Sequence, residues 1–251
     1  MSTVKANTIQ PKDAASDLTL GASGDTVTVA ADSININKVQ DKGGNTLWDF
    51  STGEFVSSNS AFSSPNLKLL ATQVITQQVM TVSFISGIDS TYSVYIFKLI
   101  NMRVRSGFDL AFQASTDGGD TFATSIVSTA FRAYHTEAGA SGSLSYDGER
   151  DRNIGSTTMQ PVLWALKTDD SDACGCGELT LFAPSDTTYV KHWTSESQHM
   201  HPEPASINPF NAGHFDTTSA INGITFGSTE GGGAGVSWLL GGTIKMYGLS
   251  T

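Results

Sequence analysis

The chain is 251 residues long, carries a formal net charge of −10 and has charged side chains at only 15% of positions, beside 25 glycines. That length allows one large domain or a domain with an extension, and the Gly-, Ser- and Thr-rich composition is that of a turn-rich β protein and not of a helical enzyme. So acidic a chain lacks the basic patches that nucleic acids and anionic membrane surfaces require, so neither is an expected partner.

The opening MSTVKANTIQPKD contains no apolar signal core, and no apolar run approaches the ~18 residues of a membrane span. Export and membrane insertion are therefore not expected. Residues 1–62 form an expected N-terminal stem, rich in Asp, Asn, Gly and Ser. Its brief alternations (Leu18 and Leu20, Val27 and Val29, Ile34 and Ile36) are separated by glycines. Each piece buries too little surface to be stable alone, yet the alternation persists through Trp48, Phe50 and Phe55. Completion by other copies of the chain is the economical reading. The run MSTVKANTIQ followed by DLTLGASGDTVTV resembles the N-termini of structural proteins of tailed bacteriophages. That resemblance implies a leader that attaches the protein to the virion, followed by a C-terminal β head.

The expected head spans residues 63–251. Leu67–Val82 fits either helix or strand by period, and its β-branched residues favour strands. The organising stretch is Gly87–Phe122. Tyr92–Ile100 is nearly continuous apolar and β-branched sequence, which suits a central strand covered on both faces. Phe108, Leu110 and Phe112 alternate with Asp109, Ala111 and Gln113, giving a strand with one buried face. Asp117-Gly118-Gly119 then supplies the positive-φ positions of a tight hairpin.

Further along, Ala123–Tyr134 is an expected strand. His135–Gln160 is a long polar connection with the charge cluster Asp147, Glu149, Arg150, Asp151 and Arg152. A loop of that length on a rigid scaffold is a common place for recognition. Strands are expected at Val162–Lys167, Leu179–Phe182, Tyr189–Ser197 and Ala220–Phe226. Ile207–Phe215 is expected to be a Pro/Gly-broken connection, and Gly231–Gly235 a flexible loop. A closing strand places Ile244 and Met246 opposite Lys245 and Tyr247. The fold class is all-β: an antiparallel, jelly-roll-like β-sandwich head with an extended N-terminal β stem.

The pieces GIDSTYSVYIFKL, ASTDGGDTF, AFRAYHTE, LSYDG, GELTLFAPSDTTYVKHW, FDTTSAINGITF and GTIKMYGL resemble β-sandwich heads of phage fibre-type virion proteins. The resemblance implies a non-enzymatic, homotrimeric component of the virion, assembled in the host cytoplasm. Its partners would be itself, other virion proteins and a host surface glycan. Both a tail fibre mediating host attachment and a capsid decoration protein remain open.

Several clusters carry possible chemistry. Ser115, Asp117, Gly119 and Thr121, with Phe122, fit the S-x-D-x-G-x-T-aromatic turn of sialidase-like propellers, where the Asp caps backbone N–H groups. A single copy implies a structural turn and no propeller. His199 and His201 stand at i and i+2, on one face of a strand. In trimeric phage fibres, which the chain resembles, such pairs bind iron on the axis. Here Gln198 precedes the pair and Pro202 follows it, so strand-edge histidines are the alternative.

Asp169, Asp170, Asp172 and Glu178 offer hard oxygens for calcium or a solvated acidic turn. Cys174 and Cys176, separated by one glycine, are too close for ordinary disulfide geometry and too few for structural zinc, so free thiols are expected. No cofactor is expected, and no nucleophile elbow or phosphate loop is found, which leaves a glycan depolymerase as the least favoured reading. Tyr146, Asp147, Arg150 and Arg152 are the candidate receptor contacts. Tyr189 and Trp193 are further aromatic candidates for sugar binding.

Overall fold

The computed structural model describes residues 38–40, 46–49, 67–105, 107–229 and 237–249. The chain divides into two units, Met1–Ser64 and Pro65–Thr251. In the first, β1 (Lys38–Gln40) pairs antiparallel with β2 (Thr46–Asp49), with Val39 opposite Trp48. The alternations at Leu18, Val27 and Ile34 and the loop at Gly231–Gly235 lie outside the described residues.

The second unit is an antiparallel β-sandwich. Its strands begin with β3 (Leu67–Ile75), β4 (Thr81–Phe84), β5 (Val94–Val104) and β6 (Asp109–Ser115). They continue with β7 (Ile126–Thr136), β8 (Gly142–Tyr146), β9 (Arg152–Ser156), β10 (Gln160–Leu163) and β11 (Gly175–Phe182). The last are β12 (Lys191–His201), β13 (Ala205–Phe215), β14 (Gly223–Thr229) and β15 (Leu239–Leu249). The small sheet has the order β10-β6-β14-β4. The large sheet runs β3-β15-β5-β11-β12-β13-β7, and β8 and β9 share the outer edge of β7.

The order shows how the sandwich is wound. Successive strands β3, β4, β5 and β6 alternate between the large and small sheets, and so do β10, β11, β14 and β15. That alternation is the double Greek key of a jelly roll. Two insertions, β7–β9 and β12–β13, both join the large sheet beyond β11, widening it past what the jelly roll requires. Leu67–Val82 is strand, as its β-branched content favoured: it contains β3 and the start of β4.

The expected roles of β5 and β6 are inverted. β5 buries Tyr95, Phe97 and Leu99 and turns Lys98 and Ile100 outward, so only one face is covered. Every residue of β6 is buried, Asp109, Gln113 and Ser115 included. The cause is the chain that follows β9. Gln113 donates its side-chain amide to Thr157 O (2.9 Å) and Thr158 O (3.3 Å), and Met159 lies against Gly227 of β14. The segment is thus laid over the outer side of the small sheet, and a polar face becomes interior.

His135–Gln160 is accordingly not one loop. Its first part forms β8 and its second part β9, both paired with β7. Nor does Asp117–Gly119 close a hairpin, because β6 and β7 belong to different sheets.

Ile207–Phe215 is no connection either: it lies in β13, an eleven-residue strand between β12 and β7. Pro209 cannot donate to a ladder, which is why the sequence argued against a central strand. The pairing of β12 with β13 does lapse between Glu196↔Phe210 and His199↔Ile207. Asn208 repairs it by donating its side-chain amide to Ser197 O.

The core lies between the sheets. Phe84, Phe97, Phe112, Phe226, Trp193 and Phe215 form a chain of edge-on and tilted aromatic contacts, with centroids from 5.1 Å (Phe112–Trp193) to 6.4 Å (Phe112–Phe226). Such pairs add about 0.5–1.5 kcal/mol each beyond their buried area. Trp193, a candidate sugar contact by sequence, is therefore a core residue.

Candidate functional site

Because side chains alternate across a strand, each strand of the large sheet offers every second residue to its outer face. The registers align these into one row across the strands. Lys98 of β5 stands opposite Glu178 of β11, Glu178 opposite Glu196 of β12, and Glu196 opposite Phe210 of β13. Phe210 is opposite Phe131 of β7, and Phe131 opposite Tyr146 of β8. Part of this row lines an open groove of about 670 Å³, which Thr180, Thr194 and Gln198 flank and Cys176 borders.

The groove has two chemical zones. At one end Phe131 and Phe210 stack with centroids 5.0 Å apart and planes 11° from parallel, presenting apolar rings to solvent. At the other, Lys98 is ion-paired with Glu178, whose other oxygen accepts from Thr180 Oγ1 at 3.1 Å. Between them Glu196 has no cationic partner among the described residues. The result is a polar floor with no spare positive charge and an aromatic shelf beside it. A second hollow of about 570 Å³ on this molecule is lined by Phe182, Tyr189 and His192, and it holds the exposed Tyr189 ring.

Of the four receptor contacts expected from sequence, Tyr146 alone presents its side chain freely, at 60% exposure. It donates its hydroxyl to Asp151, and that bond raises the phenol's pKa. Arg150 turns inward, with Nε 3.4 Å from Asp109 and Nη1 3.3 Å from Asp147, and its guanidinium lies 5.4 Å from the Trp164 ring centroid. Arg152 is 6% exposed and donates to Met159 O at 2.7 Å and to Asp151 O at 2.7 Å. Asp147, Arg150 and Arg152 are thus corrected from surface contacts to tethers. Charges this costly to bury are tolerated because Asp147 and Arg150 are ion-paired and Arg152 is hydrogen-bonded to backbone carbonyls. They hold the β8–β9 turn to Asp109, whose Oδ1 also accepts from Ala165 N at 2.7 Å.

The turn at Asp117 is built from its own side chains. Ser115 Oγ donates to Asp117 Oδ1 (2.6 Å) and accepts from Gly119 N (2.9 Å). Thr121 donates its amide to Oδ1 (3.0 Å) and its hydroxyl to Oδ2 (2.6 Å). These bonds hold the Asp117 carboxyl well below the usual carboxylate range. Gly119 has φ +97° and a Cβ there would lie 2.4 Å from Ile85 Cγ2, so no other residue fits.

The histidine pair is not arranged for a shared axial metal. His199 is fully buried within the chain, its Nε2 bonded to Trp164 O, and burial pushes its pKa down to about 3. His201 is half-buried and accepts from Glu203 N at 3.2 Å. A ring enclosed by its own chain cannot converge with copies of itself on an axis.

The acidic segment is also dispersed: Lys167 binds Asp170 at 2.9 Å, whereas Glu178 belongs to the groove. No group of three or more His, Cys, Asp or Glu suited to a metal occurs among the described residues. Cys174 and Cys176 are free thiols that both approach Asn101 Oδ1, at 3.8 and 3.6 Å, and burial raises the Cys174 pKa.

Sequence reasoning missed the groove because Phe210 sits in the strand that Pro209 disguised. The alternation of Asn208, Phe210 and Ala212 with buried Ile207, Pro209 and Asn211 was the available signal. Comparison with protein-family models, with curated proteins and with solved structures finds no match for this chain.

Proposed function

We propose that this chain is a structural virion protein of a tailed phage, a homotrimeric tail-fibre component that mediates host attachment. The sequence pieces that resemble fibre-type heads and the jelly-roll winding support the reading. The observation that carries it is an apolar field on the outer face of the large sheet. Leu67 stands opposite Leu249, Leu249 opposite Val94, and Val94 opposite Phe182. The neighbouring row is Leu69, Tyr247 and Ile96. Leu67, Leu69 and Phe182 are openly exposed and the others partly so. A contiguous field of this kind on a sheet that needs nothing further for its core marks an association surface. Copies of one chain meeting through it around an axis make the multivalent particle an attachment fibre uses.

Light scattering of the full-length protein tests the assembly and is expected to give three times 26.5 kDa. Ile96→Asp should dissociate it without unfolding the head. Immunogold electron microscopy of intact particles tests the location. Label on the tail supports a fibre, label over the shell supports a capsid decoration protein instead, and unlabelled particles reject both.

A further inference from the structure

We propose that the groove across β11, β12, β13 and β7 binds a hydroxyl-rich glycan chain, with the Phe131–Phe210 pair as its sugar platform and Glu196 as an acceptor in its floor. The inference rests on the attachment reading for the biological source of the ligand, and it moves recognition from the loops to a sheet face.

Three observations choose this occupant. The first is charge. Lys98, the cation of the groove, is neutralised by Glu178, and Glu196 adds an unpaired carboxylate, so a phosphate polymer or a strongly acidic chain is repelled. The second is the pairing of zones. The stacked Phe131 and Phe210 rings, 5.0 Å apart and 11° from parallel, leave their exposed edges and outer surface as an apolar shelf for the C–H groups of a pyranose. Thr180, Thr194, Gln198 and Glu196 offer hydroxyl, amide and carboxylate groups to its hydroxyls.

The third is pitch. The row runs across the strands, so successive side chains are spaced by the interstrand distance of ~4.8 Å. That spacing is close to the length of one sugar unit, so consecutive residues of an extended glycan meet consecutive strands. A protein partner fits less well, because the centre of the groove is polar and the apolar field that would recruit one lies on β3, β15, β5 and the Phe182 end of β11. Tyr146, next in the row after Phe131, extends the platform by one strand.

The full-length protein is applied to an array of immobilised bacterial surface polysaccharides together with maltoheptaose, cellohexaose and chitohexaose. The best binder is then titrated calorimetrically. At least one glycan is expected to bind, with Phe210→Ala weakening it about tenfold. Glu196→Gln should weaken it by less, and Leu144→Ala, exposed at 71% outside the groove, should leave it unchanged. Circular dichroism confirms that each variant folds, since these side chains lie on the surface.

Cys176 borders the groove and supplies an independent readout: bound glycan should slow its alkylation by iodoacetamide, followed by peptide mass. No binding anywhere on the array overturns the proposal, as does binding that Phe210→Ala leaves intact or that leaves Cys176 unprotected. These failures are separate from that of the attachment reading. An array that stays blank while the tail is labelled removes the glycan site alone, whereas glycan binding by a protein absent from particles removes the virion role alone.

Discussion

Asn208 donates its side-chain amide to the carbonyl of Ser197, within the stretch beside Pro209 where the β12–β13 pairing lapses. A proline thus sits between two paired strands at the cost of one side chain. Replacing Asn208 by Ala should leave that carbonyl unsatisfied and cost about 1–3 kcal/mol. Adding Pro209→Ala in the same chain restores a backbone donor and should return part of the loss. Denaturant midpoints for the two variants check this. Equal stabilities would mean that water, not the amide, serves Ser197.

The Asp109–Arg150 pair makes a second prediction. Asp109 is fully buried and Arg150 nearly so, so Arg150→Ala takes the ion-pair partner from a buried carboxylate and should cost up to about 3–5 kcal/mol. Asp109→Asn keeps an acceptor for Ala165 N and should cost less. Thermal melts of both would show it. An Arg150→Ala protein of unchanged stability that no longer adsorbs to cells would restore Arg150 as a receptor contact.

His199 predicts the acid limb of the stability curve. Its pKa is about 3 folded against 6.5 for an exposed imidazole. Between those values the unfolded chain takes up a proton that the folded chain refuses, so stability falls as pH drops from 6.5 towards 3. The slope attributable to this ring is up to about 1.4 kcal/mol per pH unit, and nothing is lost above that window. His199→Gln keeps a donor for Trp164 O and should flatten this limb, as urea titrations across the range would reveal.

The Asp117 turn predicts a local effect. Its carboxyl is depressed in the folded state, so its contribution is complete above the ordinary carboxylate pKa and fades as pH falls through the lower, folded value. Asp117→Ala should speed hydrogen exchange at the Thr121 amide and leave glycan binding unaltered. Exchange that stays slow would assign the turn's order to Ser115 and Asn222, whose Oδ1 accepts from Gly118 N at 2.8 Å.

Much of the architecture is legible in the sequence, and the failures share a cause. Alternation at Ile244 and Met246 located β15, because that stretch answers to one buried face, and β-branched content located β3 and β4, although β3 buries only Ile75. β6 misled because its second face is covered by residues far along the chain, a fact that period cannot carry. β13 misled because the compensation for Pro209 lies in a side chain one residue away. The charged run from Asp147 to Arg152 looked like a surface because its partners, Asp109 and Met159 O, are not neighbours in sequence. The groove is a product of register between five strands, which no single stretch encodes.

β8 and β9 divide the outer edge of β7 between them, β8 taking Phe131–His135 and β9 taking Ile126–Ser128. Neither is longer than five residues, and the tethered turn separates them. An edge broken in this way makes a poor template for another chain. Among the described residues the large sheet therefore has one long unpaired margin, β3, at its opposite end. Copies that joined margin to margin would pair off and stop, because the joined sheet would expose only two broken edges. A chain held at high local concentration is thereby protected from growing into fibrils of its own sheet.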